Sequence, residues 1–259
     1  MPTCIHHSHQ QLQPLDTVLD LCQQVGAILL KNGAETSRIE ETVERIGKAA
    51  GYTVSCYSTL TAIFIAVPHT TKVSLIKPVL SGFNLQKIDQ INQLSRAFEQ
   101  GTLSFADLNK QVQLVTNKDA IFPLAWRLFS AGLVSVAPML LFQASWGDLG
   151  LSFFVGMLGY FFYALVSQKH SLPYLEEFVG GFVIGLLAYL LVDLHLGDSS
   201  YHIIVSSLMP LVPGIALTNA IREIMTRQFI SGLVRLTHAI FQSGAIGFGV
   251  ILASELVTV

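Results

Sequence analysis

The stretch "PLVPGIALTNAIRE", residues 210–223, decides how the second half of this chain is read. It lies in an apolar run of the length that crosses a bilayer, yet Pro210, Pro213 and Gly214 stand in its middle. Proline removes a backbone donor and clashes with the preceding turn. In hydrocarbon the freed groups are tolerated only where protein or a water-filled cavity satisfies them. The sequence therefore predicts a discontinuous helix, the device with which secondary transporters hold anionic groups on half-helix amides. Thr218 and Asn219 follow within a turn or two and are candidate ligands of the same cavity. Arg222 stands at the expected inner mouth, where it would draw in a carboxylate. Two plainer readings stay open: a proline kink used for packing, and Arg222 with Glu223 as interface anchors. His238, early in the next apolar run, is a candidate proton relay or an ordinary interfacial histidine.

The composition around this stretch points to a membrane. Of 259 residues, 51% are hydrophobic and 12% charged, against about 25% charged in soluble domains. Eleven of the fifteen Lys and Arg precede residue 128, and four (Lys169, Arg222, Arg227, Arg235) follow it. That asymmetry predicts a water-soluble front and a membrane-embedded back. The opening residues lack a basic segment and an apolar core, so no signal peptide is expected and the front half should be cytoplasmic. Three cysteines without C-x-x-C spacing argue against a disulfide framework. A net charge of −2 gives no sign of a nucleic-acid partner.

Five apolar stretches approach the roughly 20 residues that a span requires, near 122–142, 149–167, 178–194, 202–220 and 236–257. The connections at 143–148 and 195–201 hold no Lys or Arg. Those at 168–177 and 221–235 hold Lys169 and then Arg222, Arg227 and Arg235. Every basic residue thus falls on one side, which the positive-inside rule makes cytoplasmic. The expected topology is a multi-pass protein of the cell membrane with its N-terminus inside and its C-terminus outside. Trp126, Trp146 and Tyr201 mark span ends, and Arg127 is expected to snorkel to the inner interface. Gly181 and Gly185, Gly156 and Gly159, and Gly244, Gly247 and Gly249 predict close helix packing, within the chain or against a partner.

Ahead of the spans, residues 1–14 read as a flexible tail and 15–118 as an α+β domain. Leu15, Val18, Cys22, Val25 and Leu29 form one helical stripe, with Asn32–Gly33 as its C-cap signal. Ser37 and Glu40 have capping-box spacing ahead of the stripe Ile39, Val43, Ile46. "YTVSCYS", "LTAIFIAV" and "TKVSLIK" then predict three short strands. Leu85 to Phe98 and Phe105 to Val115 return to helical spacing, so the expected order is two helices, three strands, two helices. No phosphate loop, zinc-protease or serine-hydrolase pattern is present, so neither an enzyme nor a cofactor is expected. Glu35, Glu40, Glu41 and Glu44 read as a solvated helix face, though such a cluster also suits a cation. Cys4, His6, His7 and His9 read as part of the tail rather than as metal ligands. Thr59 and Thr61 read as turn residues.

"NGAETSRIEETVERIG" (32–47), followed by "SCYSTLTAIFIAV" (55–67) and by "LMPLVPGIALTNAIREIMTRQFISGLVR" (208–235), resembles the threonine/serine exporter (ThrE) family. The resemblance runs from about residue 15 to the end. It implies export of small amino acids or dicarboxylates such as succinate. It also implies the larger, YjjP-type chain of a split form, whose YjjB-type partner chain supplies the remaining spans. The family positions it marks are Gly33, Glu35, Pro210, Pro213, Gly214, Asn219 and Arg235. The expected function is therefore a membrane subunit of a secondary exporter for small carboxylates. The rival expectation is a membrane-anchored metabolite sensor or regulatory subunit.

Overall fold

The computed structural model describes residues 13–78, 82–117, 122–141, 145–169 and 172–257. The tail residues Cys4, His6, His7 and His9 lie outside them. The chain divides into two compact units, one holding the N-terminal residues together with Asn219–Val234, the other holding 120–218 and 235–259.

The N-terminal unit has the predicted element order: α1 (Leu15–Lys31), α2 (Thr36–Ala49), β1 (Ser55–Ser58), β2 (Ile63–Ala66), β3 (Val73–Ile76), α3 (Leu85–Glu99) and α4 (Phe105–Asn117). The strands form an antiparallel sheet in the order β1-β2-β3, with Ser55 opposite Ala66 and Ile63 opposite Ile76. Alternation sorts β2 cleanly, since Ile63 and Ile65 are buried while Phe64 between them is exposed. Val18, Cys22, Val25 and Leu29 of α1 meet Ile39, Val43 and Ile46 of α2 in the same core. Gly33 ends α1 with φ +82°, a conformation that glycine adopts without Cβ strain.

The start of α2 differs from the capping-box expectation. Its N-cap is Glu35, not Ser37, and no side chain of its own caps it. The reason is a better acceptor: Oε1 of Glu223, far along the chain, takes the Thr36 amide at 3.2 Å. Glu40 is drawn elsewhere, its Oε1 accepting from the Ser58 amide at 2.8 Å.

The second unit is built from α5 (Leu124–Leu141), α6 (Trp146–Lys169), α7 (Leu175–Asp193), α8 (Ser200–Ser207), the start of α9 (Gly214–Met225) and most of α10 (Phe229–Val257). Among the described residues four helices, α5, α6, α7 and α10, are long and apolar enough to cross a membrane. The fourth predicted span, 202–220, is not one helix. Its place is taken by α8, eight residues, and α9, twelve residues, about 12 and 18 Å long, each short of a core of about 30 Å. The expected basic loop 221–235 shrinks to the turn 226–228, because Arg222 lies on α9 and Arg235 on α10. Glu176 and Glu177, taken for loop, form the first turn of α7.

Close packing follows the glycines. A Cβ at Gly181 would stand 2.5 Å from the Ile246 carbonyl oxygen, and one at Gly185 would stand 3.0 Å from Ala253 Cβ, so α7 and α10 touch along their backbones. Ser207 Oγ donates to Ser152 O at 3.2 Å, tying α8 to α6. Asp148 Oδ1 accepts from the Asp198 amide at 2.9 Å and holds the start of α6 to the turn ahead of α8.

Candidate functional site

The break in the fourth apolar run occupies residues 208–213. Leu208 caps α8, and the amides of Leu211 and Val212 both turn back to its carbonyl at 2.9 and 3.2 Å. Pro210 has no amide to donate, which is why a turn and not a further helical turn forms there. Pro213 O accepts from Leu217 at 3.0 Å and so opens α9. The Gly214 amide bends back to Val212 O at 2.8 Å. Among the described residues no backbone carbonyl outside the helix accepts from Ile215 or Ala216. Among the described residues nothing lies within 4 Å of a Cβ placed on Gly214, so the helix start is open on that side. Thr218 is exposed, and its Oγ1 donates to Gly214 O and Ile215 O at 3.0 and 3.1 Å.

Pro210 lines a cavity of about 620 Å³ together with Phe122, Trp126, Arg127, Ser130, Ala131, Val134 and Tyr160. Among the described residues Arg127 is its only charged lining group. It does not simply snorkel outward, because its Nε and Nη2 donate to Tyr160 Oη at 3.2 and 2.9 Å. Its guanidinium carbon lies 5.6 Å from the Tyr160 ring centroid. A guanidinium fixed in an apolar wall beside a broken helix is a strong site for a carboxylate, since its remaining donors form a planar fork. Sequence reading did not foresee this contact: Arg127 sits close to the expected span end, and Tyr160 is 33 residues away.

The other expected site residues divide among different places. Asn219 and Arg222 belong to the N-terminal unit, where Asn219 Nδ2 donates to Gly33 O at 3.4 Å and Arg222 Nη1 donates to Glu35 Oε1 at 2.6 Å. Beside them, Glu223 is buried and accepts from Thr36 N and Thr36 Oγ1 at 3.2 and 3.5 Å. Gln228 Nε2 donates to Glu40 Oε2 at 3.0 Å. Within the N-terminal unit, Asn219, Arg222, Glu223 and Gln228 thus meet Gly33, Glu35, Thr36 and Glu40 of the resembling stretch 32–47. Of the acidic cluster, Glu41 and Glu44 are exposed, as a solvated face requires, with Glu41 paired to Arg45 and Glu44 accepting from the Cys56 amide at 3.0 Å, while Glu35 and Glu40 are half-buried. Burial raises the Glu40 carboxyl above the ordinary glutamate range, a rise that the Ser58 and Gln228 hydrogen bonds offset in part. Burial, then the charges of Glu40 and Glu44, push the Cys56 thiol up to about 12, which leaves it inert at neutral pH.

Arg235 is 2% exposed on α10. His238 is exposed, with its ring 5.1 Å from that of Tyr174 in an edge-on contact. Thr59 accepts from the Thr61 and Ala62 amides, an ordinary turn. Among the described residues no group of three or more His, Cys, Asp or Glu is placed to hold a metal ion.

Comparison with known proteins fits these features. The family model described as "Putative threonine/serine exporter" (ThrE) matches residues 20–257. Pheromone-regulated membrane protein 10 of Candida albicans (strain WO-1) is 25% identical over 263 residues, 96% of this chain and 23% of its own length. The protein of the same name from Eremothecium gossypii is 24% identical, over 96% of this chain and 34% of its own. The "Probable succinate transporter subunit YjjP" of Escherichia coli (strain K12) is 24% identical over 247 residues, 94% of this chain and 96% of its own. The chain thus spans about a quarter of the Candida relative and nearly all of the bacterial one. No solved structure matches. With four helices fit to cross a bilayer and relatives named as membrane proteins and a transporter subunit, this is a membrane protein, and it belongs to the threonine/serine exporter (ThrE) family.

Proposed function

We propose that this chain is a membrane subunit of a secondary exporter for small carboxylate metabolites, threonine, serine or a dicarboxylate such as succinate. The observation that carries the proposal is the cavity that Pro210, from the break, and the Tyr160-held guanidinium of Arg127 line together. The substrate carboxylate is held by Arg127, and the open amides at the start of α9 stabilise a second polar group. Pro210, Pro213 and Gly214 maintain the break, with Thr218 at its rim. Asn219 and Arg222 act through the corner at Gly33 and Glu35, while Arg235 stands deeper along α10 and His238 is a candidate relay beside Tyr174. In this reading α8 and α9 together complete a fifth crossing, the N-terminal domain is cytoplasmic, the membrane is the cell membrane, and the C-terminus lies outside.

A second membrane chain, of the YjjB type, completes the transporter. The bacterial relative is named as a subunit. On α10, a Cβ at Gly244 or Gly247 meets nothing within 4 Å among the described residues, which suits a small-residue face for another helix. The test is efflux from cells expressing this chain with and without the second one, loaded in turn with labelled threonine, serine and succinate. Export of at least one that needs both chains supports the proposal, and no export under any combination refutes it.

One observation favours a sensor instead. A cavity of about 490 Å³ in the N-terminal domain is lined by polar groups including Gln24, Lys31, Asn32, Lys87 and Gln113. Tight metabolite binding by the full chain that persists when efflux is absent would support that second reading.

A further inference from the structure

Two carboxylates lie in the first turn of α7, Glu176 and Glu177. The helix dipole favours acidic side chains at this end, which explains their presence and not their burial. Glu177 is 6% exposed. The Oε2 atoms of both residues are shut away from solvent without a hydrogen-bond partner among the described residues. A buried carboxylate lacking partners is costly while ionised, and taking a proton relieves it. Ionisable groups inside a membrane bundle commonly mark ion or proton pathways.

The surroundings connect Glu177 to the cavity. Gly180, one turn further along α7, leaves so little room that a Cβ there would stand 2.7 Å from Leu211 Cδ1 and 3.3 Å from Tyr163 Cβ. The same face of α7 therefore meets both the break and α6. The charged group acting on Glu177 directly is Glu176. Glu177, Glu176, Tyr160 and Arg127 in turn act on Tyr163 of α6, and α10, packed on α7, brings His238 against Tyr174. The Tyr163 ring lies 5.7 Å from that of Tyr160, and Tyr160 Oη accepts from Arg127. Arg127, Tyr160 and Tyr163 thus form one file leading from the Pro210 cavity, and Glu177, one turn before the glycine that meets Tyr163, lies within electrostatic reach of its end.

We propose that Glu177 is the proton-binding group of the transport cycle, coupled through Tyr163 and Tyr160 to the substrate carboxylate at Arg127. This rests on the exporter reading above. With the cavity empty, the Arg127 cation favours ionised Glu177. A substrate carboxylate on Arg127 cancels that charge, so Glu177 takes a proton from the water on that side. When the substrate leaves on the other side, the cation acts again and Glu177 returns its proton to that water. One O–H bond forms at Glu177 and later breaks there, with no redox change. Proton and substrate each tighten the binding of the other.

The test uses the full chain with its second membrane chain in liposomes, with labelled succinate, threonine and serine as probes. The pH range is one in which the probe itself does not change charge. For the wild type, the half-saturating concentration should rise with pH by up to about tenfold per unit, the limit for one linked proton. Glu177→Gln should lose that dependence and Glu176→Gln should keep it. Glu177→Asp should keep it with the midpoint displaced. Glu177→Gln with the wild-type dependence overturns the assignment. If Glu177→Gln carries no flux, the Asp variant decides: a displaced midpoint supports the assignment and an unchanged one overturns it. A transporting wild type indifferent to pH overturns the assignment alone. Absent flux of all three probes overturns the exporter reading and the assignment together.

Discussion

Arg222 on α9 and Glu35 at the cap of α2, 187 residues apart in sequence, form an ion pair with Nη1 2.6 Å from Oε1. The pair joins two of the three stretches that carry the family resemblance, 32–47 and 208–235. The Arg222 side chain is 61% exposed, and exposed pairs contribute only about 0.2–1 kcal/mol to stability. Glu35→Ala and Arg222→Ala should accordingly change thermal stability little. If the corner positions α9 for transport, each should still lower flux, and the exchanged pair Glu35→Arg with Arg222→Glu should recover part of it. A flux cycle in which the two single effects simply add would show that the pair has no such role.

Glu223 is a stronger structural tie than Arg222. It is 1% exposed and receives the otherwise uncapped amide of Thr36. Glu223→Ala strands that buried donor, at a cost of about 1–3 kcal/mol, whereas Glu223→Gln retains an acceptor oxygen. Thermal unfolding should rank wild type and Gln above Ala, with faster hydrogen exchange at the Thr36 amide in the Ala variant. Equal behaviour of Ala and Gln would contradict the trans-capping role.

Much of this architecture was legible in the sequence. The switch from helical to alternating periodicity gave three strands between helix pairs, because Ile63 and Ile65 face one core and Phe64 does not. Pro210 and Pro213 announced the break, since proline acts on its own local backbone whatever surrounds it. What pattern could not supply was pairing over long separations. Ser37 and Glu40 had the spacing of a capping box, but Glu223 offered the Thr36 amide an acceptor that no local window contains. Arg127 looked like an interface anchor until Tyr160 was seen to hold it. Glu177 was hidden for another reason: charge at a span end reads as loop, and only packing shows that it is buried.

Gly181 tests the packing of α7 on α10. A Cβ at this position would press on Ile246 backbone atoms, which cannot swing aside as a side chain can. Gly181→Leu should destabilise the membrane unit by about 1–3 kcal/mol or more, read as a lower melting temperature in detergent. A melting temperature equal to that of wild type would show that the two helices do not approach so closely.

Glu40 gives the N-terminal domain a pH dependence of defined sign. Burial raises its carboxyl in the folded state, so the folded chain binds this proton more tightly than the unfolded one. The stabilisation it brings is present at acid pH and lost as pH rises through the raised value, then level. Glu40→Gln should flatten this part of the stability profile while other carboxylates keep theirs. A profile unchanged in Glu40→Gln would assign the titration to another group.

The central claim is that the break beside Arg127 binds a substrate carboxylate, and flux through matched variants tests it most directly. Wild type, Arg127→Met, Arg127→Lys and the double change Pro213→Ala/Gly214→Leu are compared at equal membrane abundance, with the second chain present and labelled threonine, serine and succinate as probes. The account predicts export by the wild type, a loss of about tenfold or more in Arg127→Met, partial retention in Arg127→Lys, and abolished flux when the break is closed. Undiminished export by Arg127→Met and by Pro213→Ala/Gly214→Leu would contradict it.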